Sequence, residues 1–193
     1  MIVALLVPLA LLSRRESLPA GPPREPLGDL GAVPAFELVE RSGAPVTLES
    51  LRGESWIAGF VYTRCEGPCP LVTARMAALA SRLPETGIRV VTISVDPAFD
   101  TPERLVAYAK EYKASADRWW FLTGDTESVR RLVRDGFHLS VAEAGSDPSH
   151  GGPLTHSTRT ALIDADGRIR RYYLATEDGW VDAALADIAL LRD

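Results

Sequence analysis

At 193 residues the chain has room for one ordinary domain plus a tail. Hydrophobic residues make up 46% of it and charged residues 24%, the proportions of a soluble globular protein, which argues against both a disordered chain and a multi-span membrane protein. The net charge of -5, with no basic patch in view, argues against a nucleic-acid-binding surface.

Residues 2–12 (IVALLVPLALL) form an apolar run shorter than the roughly 20 residues of a spanning helix, and Pro8 interrupts it. With no polar face, it reads as a membrane-anchor or signal-like segment over 1–12. Arg14 and Arg15 follow the run instead of preceding it, so its orientation stays open. Residues 13–34 hold five prolines and three glycines, too many for a regular element, and read as an extended linker. The folded domain is then expected over 35–193.

Ala35 to Glu40 and Pro45 to Leu48 alternate apolar and polar residues across Ser42-Gly43, the pattern of a β-hairpin. Trp56 to Thr63 (WIAGFVYT) is nearly continuous in apolar residues and of strand length, which marks a strand covered on both faces. It runs into Cys65. After Cys69, Leu71 or Val72, Met76, Leu79 and Leu83 recur at helical spacing, and Pro70 suits a first turn, where its missing N–H costs nothing. Ile88 to Val95 is a second buried strand. Thr101-Pro102 opens a helix bearing Leu105, Tyr108, Ala109 and Tyr112, and Trp119 to Leu122 is a short third strand. Asp125 or Thr126 caps a helix with Val129, Leu132 and Val133, which Gly136 is expected to end in a left-handed conformation. A polar, glycine-rich excursion over Ala142 to Pro153 precedes strands at Thr158 to Asp164 and Arg168 to Ala175, turned by Asp166-Gly167, and a helix from about Trp180 to Leu191. Alternating βαβ units followed by a hairpin and a helix give an α/β fold, a central mixed sheet flanked by helices on both faces.

Cys65 and Cys69 are the only cysteines. A disulfide between them closes too small a loop to staple the fold, so redox or metal chemistry is the better use of the pair. Both lie at a strand-to-helix junction, where unpaired backbone donors and the helix dipole favour thiolate. Three residues, Glu66, Gly67 and Pro68, separate them, giving a loop in which both sulfurs can face one point in space. Two thiolates suit a soft cation such as Cu(I), and a discriminating site needs a further donor. There are three histidines. His138, in GFHLSV, suits a packed or edge position, and His150, in the glycine-rich excursion, suits a solvated one. His156 directly precedes a late strand, in a loop that a thioredoxin-like sheet turns toward the start of the first helix.

GFVYTRCEGPCP, VVTISVDPAFDTPERLVAYAKEY and LTHSTRTALIDADGRIR, in that order, resemble the Sco/SenC family of copper chaperones for cytochrome c oxidase, over about Ala35 to Leu191. The resemblance implies a thioredoxin-like fold, an N-terminal membrane anchor that holds the domain on the outer, periplasmic-type side, and a copper site of Cys65, Cys69 and His156 able to take Cu(I) or Cu(II). It further implies an upstream copper donor and, as recipient, the copper domain of oxidase subunit II. A monomer is the expected state. Two activities fit these residues: a metallochaperone without turnover, and a thiol-disulfide oxidoreductase in which Cys65 attacks a partner disulfide and Cys69 resolves it. A peroxiredoxin is disfavoured because Tyr62 stands where its motif requires threonine. Asp96 reads as a turn former before Pro97, and Arg64 and Arg159 as charges that could lie near the thiols.

Overall fold

The computed structural model describes residues 25–83, 87–143 and 154–191, with the backbone path alone for residues 142, 143 and 154–156. The apolar run becomes β3 (Ser55–Val61), buried at every position. β4 (Ile88–Ser94) is buried at all positions but Arg89, and lies parallel to β3 in the register Ser55↔Ile88 to Val61↔Ser94. β5 (Trp119–Thr123) continues the parallel set beside β4. Strands apolar on both faces belong in the middle of a covered sheet, and these three take that place.

β1 (Glu37–Glu40) and β2 (Pro45–Thr47) form the expected hairpin, with Gly43 at φ +88°, and β1 adds antiparallel to β5. β8 (Arg159–Ile163) adds antiparallel to β3 on the other side, and β9 (Ile169–Leu174) antiparallel to β8. The seven-stranded order is β2-β1-β5-β4-β3-β8-β9. β6 (Val141–Glu143) and β7 (Leu154–His156) pair antiparallel in a separate two-stranded ladder, with Val141 opposite His156. The mixed sheet and its helices make the thioredoxin-like α/β fold expected from the sequence.

α1 (Cys69–Ala80) carries Pro70 in its first turn and packs on β3 and on α4 (Trp180–Leu190). Its buried side is Cys69, Val72, Thr73, Met76 and Leu79, while Leu71 is 45% exposed, which settles the phase of the helix. Gly59 of β3 lets α1 approach, since a Cβ there would stand 2.1 Å from Met76 Sδ. α2 (Pro102–Glu111) starts at the Thr101 cap and packs against β5 with Leu105, Tyr108 and Ala109 buried. α3 (Thr126–Arg131) is capped by Asp125, whose carboxylate accepts from Ser128 N at 2.9 Å. It continues as a π-helical turn, Leu132–Gly136.

The left-handed residue after α3 is His138, at φ +52°, and not Gly136. Gly136 is needed for space, because a Cβ would meet Pro34 Cδ at 2.7 Å. His138 itself is exposed and not packed.

Residues 25–33, read from the sequence as the end of a linker, run along the edge of β9. Leu30 N donates to Ile169 O, Ile169 N to Gly31 O, and Val33 N to Gly167 O, with distances of 2.8–2.9 Å. Arg168 pairs with Asp29, and Arg170 Nε donates to Gly28 O. These bonds cover an edge that would otherwise offer free donors and acceptors. The apolar run of residues 2–12, the linker up to residue 24, and His150 lie outside the described residues. Among the described residues no helix is long and apolar enough to cross a membrane.

Candidate metal centre

β3 ends at Val61, and Tyr62 to Pro68 carry the chain across the end of the sheet into α1. Cys65 N donates to Tyr62 O at 3.3 Å, so the first cysteine sits on a tight turn. Cys69 is the first residue of α1. Cys65 is 7% exposed and Cys69 fully buried; no disulfide joins them, and the two thiols are close enough to share a hydrogen bond. Thr73 Oγ1, one turn on, donates to Cys69 O at 2.9 Å and meets Tyr108 Oη at 2.7 Å, which ties the start of α1 to α2.

The helix start was expected to favour thiolate. For Cys69 the opposite holds: the hydrogen bond with Cys65 and then burial push its pKa up, and a backbone hydrogen bond from Tyr62 opposes them only in part. A buried thiol beside a second sulfur gains more by keeping its proton than the helix dipole offers for losing it. A soft cation placed between the sulfurs would remove that penalty, because it supplies the positive charge that the pocket lacks.

The loop is held from below by Asp100, a residue the sequence reading passed over. Its fully buried carboxylate accepts from Thr63 N at 3.0 Å, from Thr63 Oγ1 at 2.5 Å and from Ser94 Oγ. Burial raises the Asp100 pKa, and these hydrogen bonds oppose the rise. The only hint in the sequence was a carboxylate directly before a helix cap, which the Thr101 side chain accounts for by itself.

Asp96 forms the expected turn, its carbonyl accepting from Phe99 N and Asp100 N, and does more. Its carboxylate accepts from Arg64 Nε at 2.7 Å, so Arg64 lies next to Cys65 but is already paired. Arg159 is exposed and borders a groove of about 780 Å³ with Tyr172, Leu174 and Trp180.

His156 is the last residue of β7, three before β8. β8 pairs with β3 as Trp56↔Ile163 and Ala58↔Ala161, so the chain enters β8 at the end of the sheet where β3 runs out toward Cys65. His156 thus belongs by backbone to that end. Among the described residues no three side chains of His, Cys, Asp or Glu gather as a metal cluster. Two buried thiols in hydrogen-bonding contact have the chemistry to fit a soft ion.

The SCO1/SenC family model matches residues 26–190. A SCO1 protein homolog from Bacillus subtilis is 33% identical over 159 residues, spanning 81% of this chain and 80% of the relative. The solved structure of BsSco, described as a member of the Sco family of cytochrome c oxidase assembly proteins and as having a disulfide switch, has a TM-score of 0.73 at 30% identity; it covers 87% of this chain and 96% of its own. The structure of Arabidopsis thaliana ScoI with copper bound shares the fold, with a TM-score of 0.70 at 23% identity over 83% of this chain and 99% of that one. With a family match over most of its length and this likeness in sequence and fold, the chain belongs to the SCO1/SenC family.

Proposed function

We propose that this protein is a copper-binding assembly factor for cytochrome c oxidase, holding copper through Cys65, Cys69 and His156 and passing it to the copper domain of subunit II. The observation that carries the reading is the contact of two buried thiols at the end of the sheet to which the backbone of His156 also belongs. Copper bound in the Arabidopsis relative and the oxidase-assembly role given for BsSco support the choice of cargo and recipient. Cysteine sulfur suits Cu(I), and an imidazole donor lets the same site accept Cu(II). The protein's own part is to keep the sulfurs adjacent and dry. Thr63, clamped by Asp100, fixes the loop, and Thr73 with Tyr108 fixes the start of α1. The N-terminal apolar segment would tether the domain on the outer face of a membrane, where an upstream donor supplies the metal.

The test is a spectroscopic titration of the reduced full chain with Cu(I) and with Cu(II). Uptake of one ion, weakened about tenfold or more in His156→Ala and abolished in Cys65→Ser, is the expected result. Equal affinity in His156→Ala would remove that ligand from the site, and no uptake by the wild type would end the copper reading.

A second reading, reduction of the paired cysteines of subunit II, is favoured by the contact between two thiols in the reduced state. Cys65 as thiolate would attack the partner disulfide and release one partner thiolate. Cys69 would then displace the second partner sulfur, leaving a Cys65–Cys69 disulfide and a reduced partner. His156→Ala would leave this activity intact. Failure of the reduced chain to open the disulfide of an oxidised subunit II copper domain would exclude it.

A further inference from the structure

Directly beside the cysteine loop lies a cationic, aromatic surface that the copper site does not use. The Arg64 guanidinium carbon lies 4.4 Å from the centroid of the Phe99 ring, and that of Arg104 lies 3.8 Å from the same centroid. Phe99 is half-buried in the turn between Asp96 and Asp100, the turn that also holds the loop. Two cations sharing one ring repel each other unless an anion stands near. Arg64 has one in Asp96, which takes its Nε edge, and the Arg64 side chain remains 43% exposed. Arg104 has no carboxylate at ion-pair distance among the described residues, although it is exposed and Glu103 precedes it. Glu103 accepts from its own helix cap at Thr101, and Glu66 is exposed in the loop between the cysteines.

A guanidinium held flat against an aromatic ring loses little entropy on meeting a planar anion and presents a fork that matches a carboxylate. Arginine and aromatic side chains are also the residues that dominate protein interfaces. On the first turn of α1, Pro70 and Leu71 are exposed, so apolar contact area adjoins Cys69 as well. The net charge of -5 is spread over the whole chain. It is screened beyond about 8 Å in physiological salt, so an incoming group feels these two arginines more than the total.

We infer that Arg104 and Arg64, mounted on Phe99, form a carboxylate-binding rim that docks an acidic protein surface against Cys65. This deepens the proposed function and rests on it: the occupant is a partner protein carrying a carboxylate close to its own acceptor thiols or disulfide. The rim orients that partner; it takes no part in holding copper.

The test uses the reduced full chain and two small disulfides, dithionitrobenzoate, which is aromatic and dianionic, and the neutral hydroxyethyl disulfide. The ratio of their rates of reaction cancels the intrinsic reactivity of the thiol. For the wild type this ratio should fall as salt is raised. Arg104→Gln should lower it by about two- to threefold at low salt, the order expected for removing one solvent-exposed unit charge near an anionic reagent, and Arg104→Lys should restore most of the charge-dependent part. A ratio that neither salt nor Arg104→Gln changes would overturn the rim. Copper uptake, titrated separately on wild type and Arg104→Gln, should be equal. If copper fails to bind while the charge preference persists, the copper reading falls and the rim stands; if copper binds and the preference is absent, the rim alone falls.

Discussion

The carboxylate of Asp100 accepts two hydrogen bonds from Thr63, one from its amide at 3.0 Å and one from its hydroxyl at 2.5 Å. Thirty-seven residues separate the two. Through this clamp the turn between β4 and α2 determines how the chain leaves β3, and hence where Cys65 comes to rest two residues later. Asp100→Ala leaves two donors of the half-buried Thr63 and one of the buried Ser94 without their acceptor, at about 1–3 kcal/mol for each group that water does not reach. The expected outcome is a lower urea midpoint together with weaker copper uptake. Asp100→Asn, which keeps one acceptor oxygen, should recover part of both.

The same carboxylate gives stability a pH dependence of defined sign. Burial raises its folded pKa above the ordinary value of 3.8, so the folded chain binds this proton more tightly than the unfolded chain does. Its contribution is therefore most favourable below 3.8 and is lost as pH rises through the folded pKa. The difference in unfolding free energy between wild type and Asp100→Asn, measured by urea denaturation from mildly acid to neutral pH, should drift against the wild type as pH rises. A difference that is flat over this range would contradict the assignment.

Copper uptake should release protons at neutral pH. Cys69 is held as a thiol by its contact with Cys65 and by burial. A metal–thiolate bond must displace that proton. A weakly buffered solution monitored during Cu(I) addition should acidify by at least one proton per ion bound, and Cys69→Ala should release fewer.

Gly59→Ala should cost about 1–3 kcal/mol, because the added methyl overlaps the Met76 thioether and α1 must move off β3. Since α1 begins at Cys69, the shift should also reach the dithiol. The double variant Gly59→Ala with Met76→Ala makes room and should recover much of the lost stability relative to Met76→Ala alone. Thermal unfolding of the four chains closes that cycle.

Removal of residues 1–33 should destabilise the domain more than removal of residues 1–24. The longer deletion strips the backbone bonds to β9, the Asp29–Arg168 pair and the buried Val33. It also bares a strand edge, so increased self-association in light scattering is expected.

What the sequence alone determined was local. A run apolar at every position makes a central strand, a proline in a first turn makes a helix start, and the cysteine pair fell at their junction because the chain has no other course between them. Leu71 or Val72 was the limit of that reading, since periodicity gives the pitch of a helix face but not which neighbour covers it. The tertiary structure decided what depended on residues far apart in the chain: the Asp100 clamp on Thr63, the edge bonds of residues 25–33, and the left-handed turn at His138 in place of Gly136. It also reversed the electrostatics of Cys69. A helix start stabilises a thiolate only while solvent or a cation is at hand, and the fold buries Cys69 in hydrogen-bonding contact with a second sulfur.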